Sequence, residues 1–172
     1  MSKRKIVIEP DPILRRKSEK LEKVDNELRN LMDDMLETMY AAPGIGLAAV
    51  QIGILKRLIV IDTSRDNEKK TPLFLVNPEI TFRSDLKSIH EEGCLSLPGH
   101  FAEIKRPAEC HINYIDYDGK EKNLKANGLL ATCIQHEIDH LNGILFVDHL
   151  SKLKKEIILK KAIKDYKNIN RD

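Results

Sequence analysis

The sequence is poor in cysteine: its 172 residues include three, Cys94, Cys110 and Cys133. An odd thiol count without a secretion signal argues against a disulfide framework and predicts free thiols. No apolar run approaches the ~20 residues of a membrane span. The basic start Ser2-Lys3-Arg4-Lys5 is not followed by the apolar core of a signal peptide. A soluble, cytoplasmic protein with no membrane partner is expected. No Pro/Gly/Ser-rich linker divides the chain, so one domain over residues 1–172 is expected. A strong charge of one sign is also missing. With a net charge of +2 and interspersed charges, sequence-specific nucleic-acid recognition has little support.

What is present is periodicity, interrupted in two places. Asp25 can cap a helix in which Leu28, Leu31, Met32, Met35, Leu36 and Met39 recur at helical spacing, a methionine-rich core stripe. Arg57 to Asp62 and Leu73 to Val76 read as strands, and Glu79 to Arg83 continues the pattern. Asp118-Gly119 is a strong hairpin signal between Cys110–Ile115 and Lys122–Lys125. Ser151 can cap a final helix whose Lys and Arg outnumber its acids. These elements predict an α+β fold in which antiparallel or mixed β-sheets wrap around a central helix, with one N-terminal and one C-terminal helix.

That central helix carries the chemistry. In Gln135-His136-Glu137-Ile138-Asp139-His140, the imidazoles of His136 and His140 stand one turn apart on one face, placed to reach a single divalent metal. Glu137 lies beside them, where metal-assisted hydrolysis needs a carboxylate to take the proton of an acidified water. On the helical wheel Leu129, Cys133, His136, Glu137 and His140 form one stripe, and Leu130, Ile134, Ile138 and Leu141 continue it. The metal face therefore borders the core face. Unpaired imidazoles there would cost several kcal/mol, so ligands or hydrogen-bond partners are demanded. Asp139 points away from the stripe and is expected to pair with Arg106.

Periodicity breaks at Pro43–Gly53 and at Glu91–Gly99. In the first stretch Gln51 is the lone polar side chain among small apolar residues and needs partners, which makes it a candidate for holding a substrate carbonyl. In the second, Cys94 sits between Gly93 and Leu95, and its thiolate suits a third metal position. His90, His100, His111 and His149 are competing ligands at this stage. The metzincin signature would want a third histidine where Phe146 stands, and Glu156 in the basic tail is misplaced for a thermolysin-like ligand.

Gly44-Ile45-Gly46-Leu47-Ala48-Ala49-Val50-Gln51, Glu92-Gly93-Cys94-Leu95-Ser96 and Gln135-His136-Glu137-Ile138-Asp139-His140 together closely resemble the three motifs of the peptide deformylases, in order and approximate spacing. The likeness extends over nearly the whole chain, and its helical tail is similar to the common bacterial type. His90 stands where relatives often carry an apolar residue. The resemblance implies hydrolytic removal of the formyl group from N-formyl-methionyl nascent chains, with Fe(II) as native metal and Zn, Ni or Co as substitutes. It implies Cys94, His136 and His140 as ligands, Glu137 as proton carrier, and the Gln51 amide with the Leu95 backbone N–H at the oxyanion. Ile45, Leu129, Thr132 and Cys133 would wall the methionine pocket, and backbone near Gly46 and Gly99 would align the peptide. It also implies transient ribosome contact through the basic C-terminal helix. Two other readings stay open: a zinc endopeptidase-like hydrolase, and a non-catalytic, metal-stapled binding domain.

Overall fold

The computed structural model describes residues 2–171. Its frame is a five-stranded antiparallel sheet between two helices. The sheet comprises β1 (Gly46–Ala48), β2 (Leu58–Ile61), β3 (Leu73–Arg83), β6 (Glu109–Ile115) and β7 (Glu121–Asn127), in that spatial order. A separate two-stranded hairpin joins β4 (Lys87–Cys94) to β5 (Leu97–Pro107). The helices are α1 (Asn26–Ala41), α2 (Gly128–Leu141) and α3 (Lys152–Ile169).

The sequence of β2 shows why the sheet is covered on both sides. Leu58-Ile59-Val60-Ile61 is buried throughout, and alternate residues belong to different cores. Leu58 and Val60 pack with Leu28, Met32, Met35 and Met39 of α1. Ile59 and Ile61 pack with Ala131, Ile134, Ile138 and Leu141 of α2. Met32, Met35 and Met39 are fully buried, each contributing about 1.5–3 kcal/mol of transfer free energy. The α1 N-terminus is closed by Asp25, whose carboxylate accepts from the Leu28 N–H at 2.9 Å. A third core, around Leu14, Leu97, Ile104, Phe146 and Ala162, seats α3 against β5.

Two local features orient α2. At its C-terminal end Gly143 adopts φ +75°, and a Cβ there would lie 2.3 Å from the carbonyl oxygen of Arg15, so only glycine lets the chain turn against that segment. At its N-terminal end the β6–β7 hairpin, turning at Gly119 with φ +86°, delivers the chain to Asn127. The Glu91–Gly99 stretch, where sequence periodicity fails, is strand at both ends and forms the tip of the β4–β5 hairpin. Its alternation is masked by Gly93 and by the register shift between Gly93 and Cys94. Every named strand pair is antiparallel. No helix among the described residues is long and apolar enough to cross a membrane.

Candidate metal centre and active site

The tip of the β4–β5 hairpin faces the metal stripe of α2. Cys94 Sγ and one ring nitrogen from each of His136 and His140 all lie within 4.8 Å of one another. Cys94 Sγ is 3.3 Å from His140 Nε2, and the two imidazole rings meet edge to face with centroids 5.0 Å apart. His140 is fully buried and His136 nearly so. The four competing histidines stand outside this group. One of them, His149, instead bonds Asp139, and another, His100, bonds Asp165 of α3 at 3.0 Å.

Each ring has a different support. His136 Nδ1 is 2.9 Å from Glu92 Oε1, so a proton on Nδ1 leaves the Nε2 lone pair facing the cluster. Glu92 receives the Arg106 fork in turn, from Nε at 2.7 Å and from Nη2 at 3.0 Å. Burial alone would raise the Glu92 carboxyl, but the bonds from His136 and Arg106 outweigh it and hold it at about 2. Burial opposes charge on His136 as well, yet Cys94 and Glu92 hold its pKa well above the ordinary value. His140 has no such carboxylate. Burial and then the neighbouring His136 push its pKa well below the ordinary value, and its Nδ1 finds no partner among the described residues. The expected Asp139–Arg106 pair is present, with Nη1 2.9 Å from Oδ2.

Glu137 differs from Glu92 in having no hydrogen-bonded cation among the described residues. Burial pushes its carboxyl up to about 7, against the opposing pull of His136. Its Oε1 lies 4.0 Å from His136 Nε2, and its Oε2 is buried with no hydrogen-bond partner among the described residues. One thiol, two imidazoles and an adjacent carboxylate that bonds none of them fit a single divalent ion in a three-ligand, open site, since structural zinc sites are closed by four protein ligands.

A cleft of about 620 Å³ opens onto this group. Thr132 and Cys133 line its buried part, while Ile45 and Leu129 stand at its mouth, 43% and 48% exposed. Gly46, Leu95 and Gly99 also line it, as do His136 and Glu137. Gln51 is held rigidly: Oε1 accepts from the Ala48 N–H at 2.9 Å, while Nε2 donates to Ser96 Oγ at 3.1 Å and points to Cys94 Sγ at 3.5 Å. The glycines of the first motif are close-approach positions. A Cβ on Gly44 would meet Leu95 Cδ1 at 2.7 Å, and one on Gly46 would meet Glu137 Oε1 at 2.7 Å and Cys133 Sγ at 2.8 Å. Gly46→Ala is therefore expected to displace the Glu137 carboxylate and lower kcat by about 100-fold with metal content unchanged. Steady-state kinetics with metal analysis checks this, and an unaltered kcat contradicts it.

Sequence reasoning gave no role to Glu92, Ser96, Pro43 or Phe101, all of which border the cleft or its supports. For Glu92 a signal existed: a carboxylate two residues before the cysteine, in a strand position that alternation turns inward.

Such a site in an α+β frame defines a mononuclear metal hydrolase. Residues 3–156 match the family model described as polypeptide deformylase. The chain is 61% identical over 164 residues to the peptide deformylase of Pelagibacter ubique, covering 95% of each, and 55% identical over 164 residues to that of Agrobacterium fabrum, covering 95% of this chain and 96% of that one. Among solved structures, it is similar to peptide deformylase from Ehrlichia chaffeensis in complex with actinonin, at TM-score 0.92, 45% identity and full coverage of both chains. A peptide deformylase from Legionella pneumophila is also similar, at TM-score 0.91 and 42% identity, covering 99% of each. The chain belongs to the polypeptide deformylase family.

Proposed function

We infer that this protein is a metal-dependent amide hydrolase that removes the formyl group from N-formyl-methionyl peptides and releases formate, and that residues 1–172 act as one catalytic domain. The observation that carries the reading is the pairing of the Cys94–His136–His140 cluster with a buried, unpartnered Glu137 at the end of an apolar cleft.

Cys94, His136 and His140 are the proposed ligands, and Fe(II) is the proposed native ion, with Zn, Ni or Co able to replace it. Bound there, a divalent ion supplies a Lewis acid that acidifies water and polarises a carbonyl. Glu137 takes a proton from the attacking water at Oε2 and passes it to the departing amine nitrogen as the formyl C–N bond breaks, which leaves formate and a free amino terminus. A carboxyl that burial, against the pull of His136, places near neutrality can both accept and return that proton. The Gln51 amide, locked by Ala48 and Ser96, directs its N–H donors toward the cysteine side of the cleft, and with the Leu95 N–H it is the proposed oxyanion support. Ile45, Leu129, Thr132 and Cys133 form an apolar wall suited to a methionine thioether. Among the described residues β1 is an edge strand of the larger sheet and β5, which carries Gly99, pairs with β4 alone, so a peptide near Gly46 and Gly99 has strand edges to join.

Mass spectrometry of the products tests the reaction against the endopeptidase alternative. Formyl-Met-Ala-Ser should yield formate and intact Met-Ala-Ser, and the unformylated peptide should remain uncut; cleavage of an internal peptide bond contradicts the proposal. Lys152, Lys154, Lys160, Lys161, Lys164 and Lys167 on α3 support a transient ribosome contact. Cosedimentation with ribosomes should be lost when residues 152–172 are removed, and its persistence overturns that contact.

A further inference from the structure

Of the four histidines outside the metal cluster, His149 lies nearest to the groups that support it. His149 ends the 3-10 turn Phe146–His149, between α2 and α3, and its Nε2 lies 2.7 Å from Asp139 Oδ2. The same oxygen accepts from Arg106 Nη1 at 2.9 Å. Since Asp139 is the acceptor, His149 carries its proton on Nε2, and its 3.5 Å approach to Arg106 Nη1 brings together two donors aimed at one oxygen. Through its other nitrogens the buried Arg106 holds Glu92, which holds His136.

We propose that His149 and Asp139 are positioning residues for the metal centre, the outer end of a brace that runs His149–Asp139–Arg106–Glu92–His136.

Three observations carry the proposal. The brace ties together the elements that bear the ligands: Cys94 lies on β4 with Glu92, His136 and His140 on α2 with Asp139, and Arg106 on β5 spans the two. His140, the ligand one residue after Asp139, has no hydrogen bond of its own at Nδ1 among the described residues, so its turn of helix must be placed by its neighbours. The charges also require a donor at this end. One guanidinium is divided between two carboxylates; Glu92 has His136 Nδ1 as a further partner, and at Asp139 the further partner is the His149 N–H. Without it Arg106 is drawn toward Asp139, loosening its fork on Glu92 and with it the His136 ring.

The inference rests on the metal-centre reading above, and its test reads the metal directly. Zn-loaded holoenzyme is mixed with excess chelator and the rate of metal release is followed. Groups that bond a ligand directly change metal affinity by about 10–100-fold, so His149→Phe, three links beyond Glu92, should have a smaller effect and speed release about three- to tenfold. His149→Gln, which keeps a donor near the Nε2 position, should stay within twofold of wild type. Asp139→Asn should also speed release, and the double variant His149→Phe with Asp139→Asn should release no faster than the faster single variant, because both cut one chain. KM for formyl-Met-Ala-Ser should be unchanged in every fully loaded variant. A His149→Phe rate within twofold of wild type, a His149→Gln rate as fast as the Phe variant, or multiplicative effects in the double variant each overturn the brace. If His149→Phe does not fold, the Gln and Asn variants decide on the same criteria. Normal release behaviour without formate production would contradict the deformylase reading and leave the brace standing.

Discussion

Glu137→Gln is expected to lower kcat for formate release from formyl-Met-Ala-Ser by about 10²–10⁴-fold, the range that a positioned proton carrier contributes. The substitution keeps the shape of the side chain and removes its ability to take and return a proton. Metal content should not change, because Glu137 stands outside the three-residue cluster, with Oε1 4.0 Å from the nearest His136 nitrogen. KM should change little, since the methionine wall and strand edges are untouched. Stability should rise, because a buried carboxyl with an orphaned oxygen is replaced by a neutral amide. Kinetics, metal analysis and thermal melting on one preparation separate these effects. Full activity with retained metal would remove Glu137 from the mechanism.

Arg106→Met should have the largest effect on stability. Arg106 is 4% exposed and satisfies Glu92 and Asp139 together, so its loss strands a buried carboxylate at Glu92 and costs about 3–5 kcal/mol. The pH dependence gives an independent reading. Glu92 is held at about 2 in the folded protein, below the 4.5 of a free glutamate. Its contribution, about 3 kcal/mol by linkage, is complete above pH 4.5 and is lost as pH falls toward 2. Wild type should therefore show a steep loss of stability across that window, and Arg106→Met a shallower one from a lower plateau. Denaturant titrations at several pH values measure both slopes, and equal slopes contradict the assignment. The variant should also hold metal less tightly, as Glu92 loses the group that fixes its bond to His136.

How far the sequence led depended on whether the relevant partners were local. His136, Glu137 and His140 lie within five positions of one helix, so a 3.6-residue period was enough to place them on one face. Arg57 to Asp62 was legible as a strand, but its burial on both sides emerges only from α1 and α2 packing against opposite faces of β2. Cys94 was harder, since nothing local distinguishes a glycine-flanked structural thiol from a ligand; elimination and family resemblance led to it. Glu92 was missed because both of its partners are remote in sequence, 14 residues away at Arg106 and 44 at His136. The β4–β5 hairpin escaped because Gly93 and the register shift beside it interrupt the alternation where the hairpin is functional. His149 drew attention as a spare ligand, and only the return of the chain after α2 shows that it faces Asp139 instead.

Deformylation should require one metal ion, held by Cys94, His136 and His140. The most direct test is formate release from formyl-Met-Ala-Ser by metal-stripped protein, prepared anaerobically and titrated with Fe(II). Activity should start near zero, rise in proportion to added metal and level off at about one ion per chain. Equal formate release before and after metal addition, or a plateau at two ions per chain, would contradict it.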